Sequence, residues 1–181
     1  MKIYITLTAV LLTLSSCSDA NTHKITQDTV GPLSKSTTIN DLSIVFKNDS
    51  LVDDSGSNDF RTPQGEVTVF EKGGKKLLKL TPQTNTKESK VKYIQVFDDR
   101  YETDQGITLK STFKDIQNAY TIRSIENLIG AIVIFVNESD AYFTIDKKHL
   151  PGDLKFNTSS KIELSQIPDD APIKYLQIGW E

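Results

Sequence analysis

The sequence predicts an α+β fold of two tandem repeats around one shared core. Each repeat is a short helix followed by a three- to four-stranded antiparallel meander. Three observations predict this. Val91-Lys92-Tyr93-Ile94-Gln95-Val96 returns as Ile173-Lys174-Tyr175-Leu176-Gln177-Ile178, so both copies read apolar-Lys-Tyr-apolar-Gln-apolar. Two capping boxes, Thr38-Ile39-Asn40-Asp41 and Thr112-Phe113-Lys114-Asp115, each open an apolar i, i+3, i+7 spacing. Between box and hexapeptide, Val67, Val69, Phe70, Leu78 and Leu80 match Ile132, Ile134, Phe135, Phe143 and Ile145 at one offset, 132 − 67 = 65.

The elements follow in order. Ile39, Leu42 and Phe46 share one helical face, which predicts a helix from Thr38 to Lys47. Asp41 also favours the positive end of that helix. Leu51-Val52 starts a short strand before a polar loop, Asp53 to Gln64. Glu66 to Phe70 alternates as a strand, Lys72-Gly73-Gly74-Lys75 turns, and Leu77 to Leu80 returns. Val91 to Val96 closes the first unit. It puts Ile94 and Val96 in the core and turns Tyr93 and Gln95 to a face that the repeat's own helix is expected to cover. Phe113, Ile116 and Tyr120 repeat the helical spacing. Gly130 to Val136 is a nearly continuous apolar run, as expected of a strand buried on both faces. Ala141 to Ile145 returns, Ile162-Glu163-Leu164 has strand character, and Ile173 to Trp180 closes the chain. The boxes are offset by 115 − 41 = 74 and the hexapeptides by 175 − 93 = 82, so the length differences fall in loops.

The 181 residues are 25% charged and 37% hydrophobic, which is a globular composition. The net charge is −3, and lysine pairs such as Lys75-Lys76 and Lys147-Lys148 stand apart. This lacks the basic patch of a nucleic-acid binder, and no nucleic-acid partner is expected.

The N-terminus carries an address. Lys2 is followed by an apolar run, Ile3 to Leu14, too short to cross a bilayer as a helix. It ends in Leu14-Ser15-Ser16-Cys17, which resembles the lipobox of bacterial lipoproteins. The resemblance implies cleavage before Cys17, a diacylglycerol on its sulfur and an acyl chain such as palmitate on its amine. Several chains on one residue make a stable membrane anchor. It further implies a domain outside the cytoplasm, held in the cell envelope, with Ser18 directing it to the outer rather than the inner membrane. The expected organisation is then a signal peptide at residues 1–16, lipidated Cys17 with a polar flexible tether to residue 29, repeat 1 at 30–105 and repeat 2 at 106–181. Maturation removes Lys2, so the charge becomes 20 − 24 = −4. Cys17 is the only cysteine; once lipidated, it leaves the domain without disulfides, a thiol nucleophile or cysteine-ligated zinc.

Ile107-Thr108-Leu109-Lys110-Ser111-Thr112-Phe113-Lys114-Asp115-Ile116 is similar to the helix starts of two groups. One is the small envelope lipoproteins of the outer-membrane assembly-factor type. The other is the tandem-repeat β-lactamase-inhibitor proteins. Their pattern has glycine where Lys110 stands, and a glycine that is missing here after Tyr120 and Phe46. The resemblance covers the helix start of each repeat and implies an α+β envelope-binding architecture; no functional residue is carried across. The mature chain as a whole is similar to bacterial lipoproteins of no assigned function.

The available chemistry is narrow. His23 lies in the expected tether and His149 in a loop, and there is no Gly-x-Ser-x-Gly elbow, P-loop or dinucleotide fingerprint. No catalytic residue, metal ligand set or cofactor is therefore assigned. The densest polar cluster is Asp98-Asp99-Arg100-Tyr101-Glu102-Thr103-Asp104. Three readings of it are open: a solvated linker between repeats, a calcium-stabilised structural site, or the carboxylates of an envelope hydrolase. The reading preferred for the whole chain is a binding or scaffolding module without catalysis. Its partner would be an envelope protein or peptide, with Phe97, Asp98, Asp99, Arg100, Tyr101 and Trp180 as candidate contacts.

Overall fold

A computed structural model describes residues 22–53 and 65–180. The lipobox, Cys17, Ser18 and residues 54–64 of the polar loop lie outside the described residues. The fold is mixed α+β: mostly strands in two sheets, with few short helices.

The described chain opens with three two-residue strands, β1 (Lys24–Ile25), β2 (Thr29–Val30) and β3 (Leu33–Ser34). A 3-10 turn at Ile39–Asp41 runs into α1 (Leu42–Val45). Then come β4 (Ser50–Asp53), β5 (Val67–Phe70), β6 (Lys76–Pro82), β7 (Val91–Val96) and the short β8 (Glu102–Thr103). The second helix, α2 (Phe113–Ala119), precedes β9 (Ile122–Asn127), β10 (Ala131–Val136), β11 (Ala141–Asp146) and β12 (Ile173–Gly179).

The long sheet has the order β4-β5-β6-β7-β12-β11-β10-β9, antiparallel throughout. Two four-stranded meanders meet at β7 and β12, where Gln95 stands opposite Gln177. The small sheet runs β3-β2-β1-β8, with β1 and β8 parallel.

One face of the long sheet carries the core. Leu78, Leu80, Ile94 and Val96 of one meander share a cluster with Ile134, Phe143, Leu176 and Ile178 of the other. Leu42 and Phe46 beside α1, and Phe113 and Ile116 on α2, are buried in the same cluster. Both helices therefore lie on the Ile94 side. The opposite face is not covered by them: Tyr93 is 44% and Tyr175 39% exposed. This corrects the expectation that the helices shield Tyr93 and Gln95. A helix of one or two turns buries its apolar stripe against the more apolar sheet face.

The first helix is shorter than the expected Thr38–Lys47. The Thr38 amide and hydroxyl both donate to the Asp41 carboxylate, at 3.2 and 2.6 Å. The box starts a 3-10 turn, and the β-branched Ile44 and Val45 that follow are poor at extending it. The second box caps α2 fully: the Asp115 amide donates to Thr112 Oγ1 at 3.4 Å and the Thr112 amide to Asp115 at 2.7 Å. The β5–β6 hairpin turns through Gly73 and Gly74, with φ of 117° and 93°, a conformation that favours glycine.

The expected tether is corrected from His23 onward, since the Glu102 amide donates to the His23 carbonyl at 3.0 Å. Ile25 and Val30 are 2% and 0% exposed, and β1 pairs with β8. Its polar residues surround a minority of apolar ones that find the core. The expected strand at 162–164 is instead a buried Ile162 followed by a 3-10 turn, Leu164–Gln166.

Candidate functional site

The predicted contacts separate into distinct environments. Tyr101 is 1% exposed and packs inside the domain; Trp180 is 2% exposed, but it borders the groove lined by Lys92, Tyr142 and Gly179. Phe97 is half-buried, with the Lys76 ammonium 3.8 Å from its ring centroid.

Asp98 is fully buried and serves the fold. Its carboxylate accepts from the Arg100 amide at 2.9 Å, from Arg100 Nε at 3.0 Å and from the Arg100 terminal nitrogen, and pairs with Lys75 Nζ at 3.1 Å. Arg100 also reaches Glu71 at 2.8 Å, which ties the β7 exit to the β5–β6 hairpin. Burial alone raises the Asp98 carboxyl, but the Arg100 and Lys75 bonds outweigh it and hold it well below the usual carboxylate range. Tyr101 packs edge-on against His23, with centroids 4.9 Å apart, and burial pushes its phenol up. His23 is lowered, by burial first and then by Arg100. It is thus part of the folded domain, not of a tether.

The other acids of the cluster turn elsewhere. Asp99 pairs with Lys110, and Glu102 with Lys24 at 2.9 Å. The carboxylates do not converge on one pocket, as a hydrolase would need. Among the described residues, no three His, Cys, Asp or Glu groups are placed to share a metal ion.

Among the described residues, a broad groove lies on the open face of the second meander. Across that face the ladder aligns Ser124, Phe135, Tyr142 and Gln177 in one row. Phe135 and Tyr142 stack, with centroids 5.4 Å apart and planes at 28°. A β-bulge is what places the cation above them. Phe135 pairs with Ser124 but Val136 with Ile122, so Arg123 is the extra residue in β9. It turns to the same face, its guanidinium carbon 5.6 Å from the Phe135 centroid. Gly179 continues the surface. A Cβ there would lie in ordinary contact, 3.5 Å from the Tyr142 ring and 3.6 Å from the Tyr93 ring, so Gly179 sits between the two tyrosines. Burial, then the neighbouring Tyr93, raises the Tyr142 phenol, which stays neutral. The resulting groove of about 830 Å³ is lined by Tyr93, Phe135, Tyr142, Arg123, Lys92 and Glu126, among others.

Sequence reasoning missed this groove. Ile122 to Asn127 lacks the strict alternation that marks a strand, and a bulge leaves no mark in composition. Tyr93 stands out as half of the repeated Lys-Tyr pair, but on a face expected to be covered.

No protein-family model matches the chain, and no curated protein does. Among solved structures, it is similar to the uncharacterized protein yfeY from Escherichia coli, with a TM-score of 0.56 and 15% sequence identity over 87% of this chain and 99% of that one. At that identity the likeness concerns the fold alone.

Proposed function

We propose that this protein is a lipid-anchored binding module of the bacterial cell envelope, which takes its ligand on the open face of β7 and β9–β12. The anchor is Cys17 in the Leu14-Ser15-Ser16-Cys17 lipobox, and Ser18 points to the outer membrane. The observation that carries the binding reading is the bulge that sets Arg123 over the Phe135–Tyr142 stack. Aromatic planes in a groove accept flat apolar or sugar surfaces, and the Arg123 guanidinium, with Lys92 lining the same groove from β7, accepts an acidic group. The ligand class is therefore an acidic molecule or peptide segment with a flat apolar surface.

The architecture is read as two repeats. Three features support this: the boxes at Thr38 and Thr112, the four-stranded count of each meander, and the meeting of Gln95 with Gln177. Those two residues are equivalents at the hexapeptide offset, 177 − 95 = 82. Counting outward along the ladders equates Leu80 with Phe143, an offset of 63, and Val67 with Ile134, an offset of 67. The constant offset of 65 is thus two residues out on each side of the hairpin, with the inward and outward alternation preserved.

Two measurements test the proposal. Cys17→Ser should move the protein out of the membrane fraction; persistence there after signal cleavage defeats the anchor. A photo-crosslinker at position 142 should capture an envelope component that Arg123→Ala reduces at least several-fold. Capture indifferent to Arg123, or none above a lipid-matched control, defeats the site.

A further inference from the structure

Among the described residues, the two most exposed large apolar side chains, Ile129 and Phe156, stand with Leu128 at one end of the long sheet; Ile44, at 73%, lies apart from them on α1. Ile129 is 86% exposed, Phe156 85% and Leu128 49%. Single exposed apolar residues are ordinary, but these are held together. Leu128 and Ile129 form the tip of the β9–β10 turn. Just before it, Asn127 Nδ2 donates to the Asn157 and Ser160 carbonyls at 3.2 and 2.7 Å. The buried Lys147 donates to the same Asn157 carbonyl at 2.8 Å. These bonds fasten the 157–160 loop, and with it Phe156, beside the tip.

The charge around the tip is opposite to that of the chain. Residues 147–161 hold four lysines, Lys147, Lys148, Lys155 and Lys161, against the single Asp153, in a protein of net charge −3. Lys161 pairs with Glu163 and Lys174 with Asp146, but Lys148 and Lys155 have no ion pair among the described residues.

The tip also lies where the chain leads to the lipobox. The ladders place the β9–β10 turn, the β11 exit at Asp146, the β12 start at Ile173 and the β7 exit at Val96 at one end of the sheet. His23 packs on Tyr101 just past that β7 exit. From Thr22 to Cys17 is 22 − 17 = 5 residues, which span at most roughly 18 Å. A lipid on Cys17 therefore holds this end of the domain against the bilayer.

We infer that Leu128, Ile129 and Phe156, flanked by Lys148 and Lys155, form a second membrane contact that seats on an anionic phospholipid surface. The apolar tips enter the boundary between headgroups and acyl chains, and the lysines meet lipid phosphates. The contact orients the domain, which the single anchor at Cys17 leaves free to rotate. The inference rests in part on the lipid-anchored reading, because the tether supplies the proximity.

The test uses the lipidated mature protein in vesicles of phosphatidylethanolamine and phosphatidylglycerol. Cys17 is the only native cysteine and its sulfur is blocked by lipid, so one introduced cysteine takes one fluorophore. Ile129→Cys and Phe156→Cys are compared with Lys87→Cys, at the opposite end, using quenching by a lipid-borne nitroxide. The expected result is several-fold stronger quenching at 129 and 156 than at 87, weakening toward the 87 level in phosphatidylcholine vesicles. Equal quenching at the three positions, in protein that floats with the vesicles, overturns the contact and leaves the anchor intact. If the N-terminal peptide proves to carry no lipid, the anchor fails separately. Flotation of the unlipidated protein with phosphatidylglycerol vesicles then decides. Binding that Ile129→Ser with Phe156→Ser abolishes keeps the contact, and no binding overturns it.

Discussion

The two halves of the long sheet offer the same positions and fill them differently. Outward from the central Gln95–Gln177 pair, the open face of the first half carries Lys79, Thr68 and Val52. The second half carries Tyr142, Phe135 and Ser124 at the same ladder steps. Lys79 is consumed by an ion pair with Glu66, and Thr68 is buried. Tyr142 and Phe135 instead stack as half-exposed rings, with Arg123 turned onto them. Backbone pairing sets where side chains stand; whether a position closes the fold or receives a ligand is decided by what occupies it.

The largest expected effect separates the two faces within one strand. Phe143 points into the core with no exposure, while its neighbour Tyr142 lies on the open face. Phe143→Ala should lower the unfolding free energy by about 3–5 kcal/mol in urea titration. Tyr142→Ala should cost about 1–2 kcal/mol, within the range for a partly exposed side chain. Equal losses would mean that the open face is structural.

Next comes the closure of the first half around Asp98. Asp98→Asn leaves Arg100 and Lys75 without their shared carboxylate and should cost about 2–3 kcal/mol at pH 7, as for hydrogen bonds to charged groups. The sign with pH follows from the direction of the shift. The folded value lies below the unfolded 3.8, so the contribution is complete above 3.8 and is lost as pH falls below it. The gap between the urea midpoints of the native protein and the variant should therefore hold steady down to about pH 4 and narrow as pH falls toward 2. A gap that stays constant would show that Asp98 acts through its shape alone.

The comparison of the halves can be broken by exchange. Phe135→Thr with Tyr142→Lys gives the second half the side chains of the first. Capture of the envelope ligand should be lost, with a stability loss of about 1–3 kcal/mol. Lys79→Tyr in the first half should leave capture unchanged. If it abolishes capture, the ligand spans both halves.

The sequence made the alternation legible because one face is buried. Ile94, Val96, Leu176 and Ile178 had to point inward, and all four do. The box at Thr112 was legible because capping is local chemistry. The candidate site was not, for physical reasons tied to particular residues. Arg123 reaches the open face only through an unpaired residue in β9, which no periodicity marks. Tyr101 looked like a partner anchor because aromatic residues near strand ends serve binding and packing equally well. Residues 24–29 read as polar linker because the two-residue strands β1 and β2 are shorter than any alternation that can be counted.

The smallest expected effect concerns His23, in the segment that closes the first half. Its imidazole is disfavoured as a cation by burial, then by Arg100, against the pull of Asp98, Glu71 and Asp49. A lowered folded value means that the folded state binds fewer protons than the unfolded state just below 6.5. Stability is therefore full above pH 6.5 and declines as pH falls from 6.5 through the folded value. Asp49 works with the opposite sign. Burial, then Glu71, raises its carboxyl, so its contribution is present below 3.8 and is lost as pH rises through its folded value. The two act in adjoining windows, which makes the variant and not the native profile diagnostic. His23→Phe keeps a ring against Tyr101 and removes the titration. The native urea midpoint should drop between pH 7.5 and pH 5.5, and the variant's should drop less. An identical drop in both would assign the slope to another group and leave His23 a packing residue only.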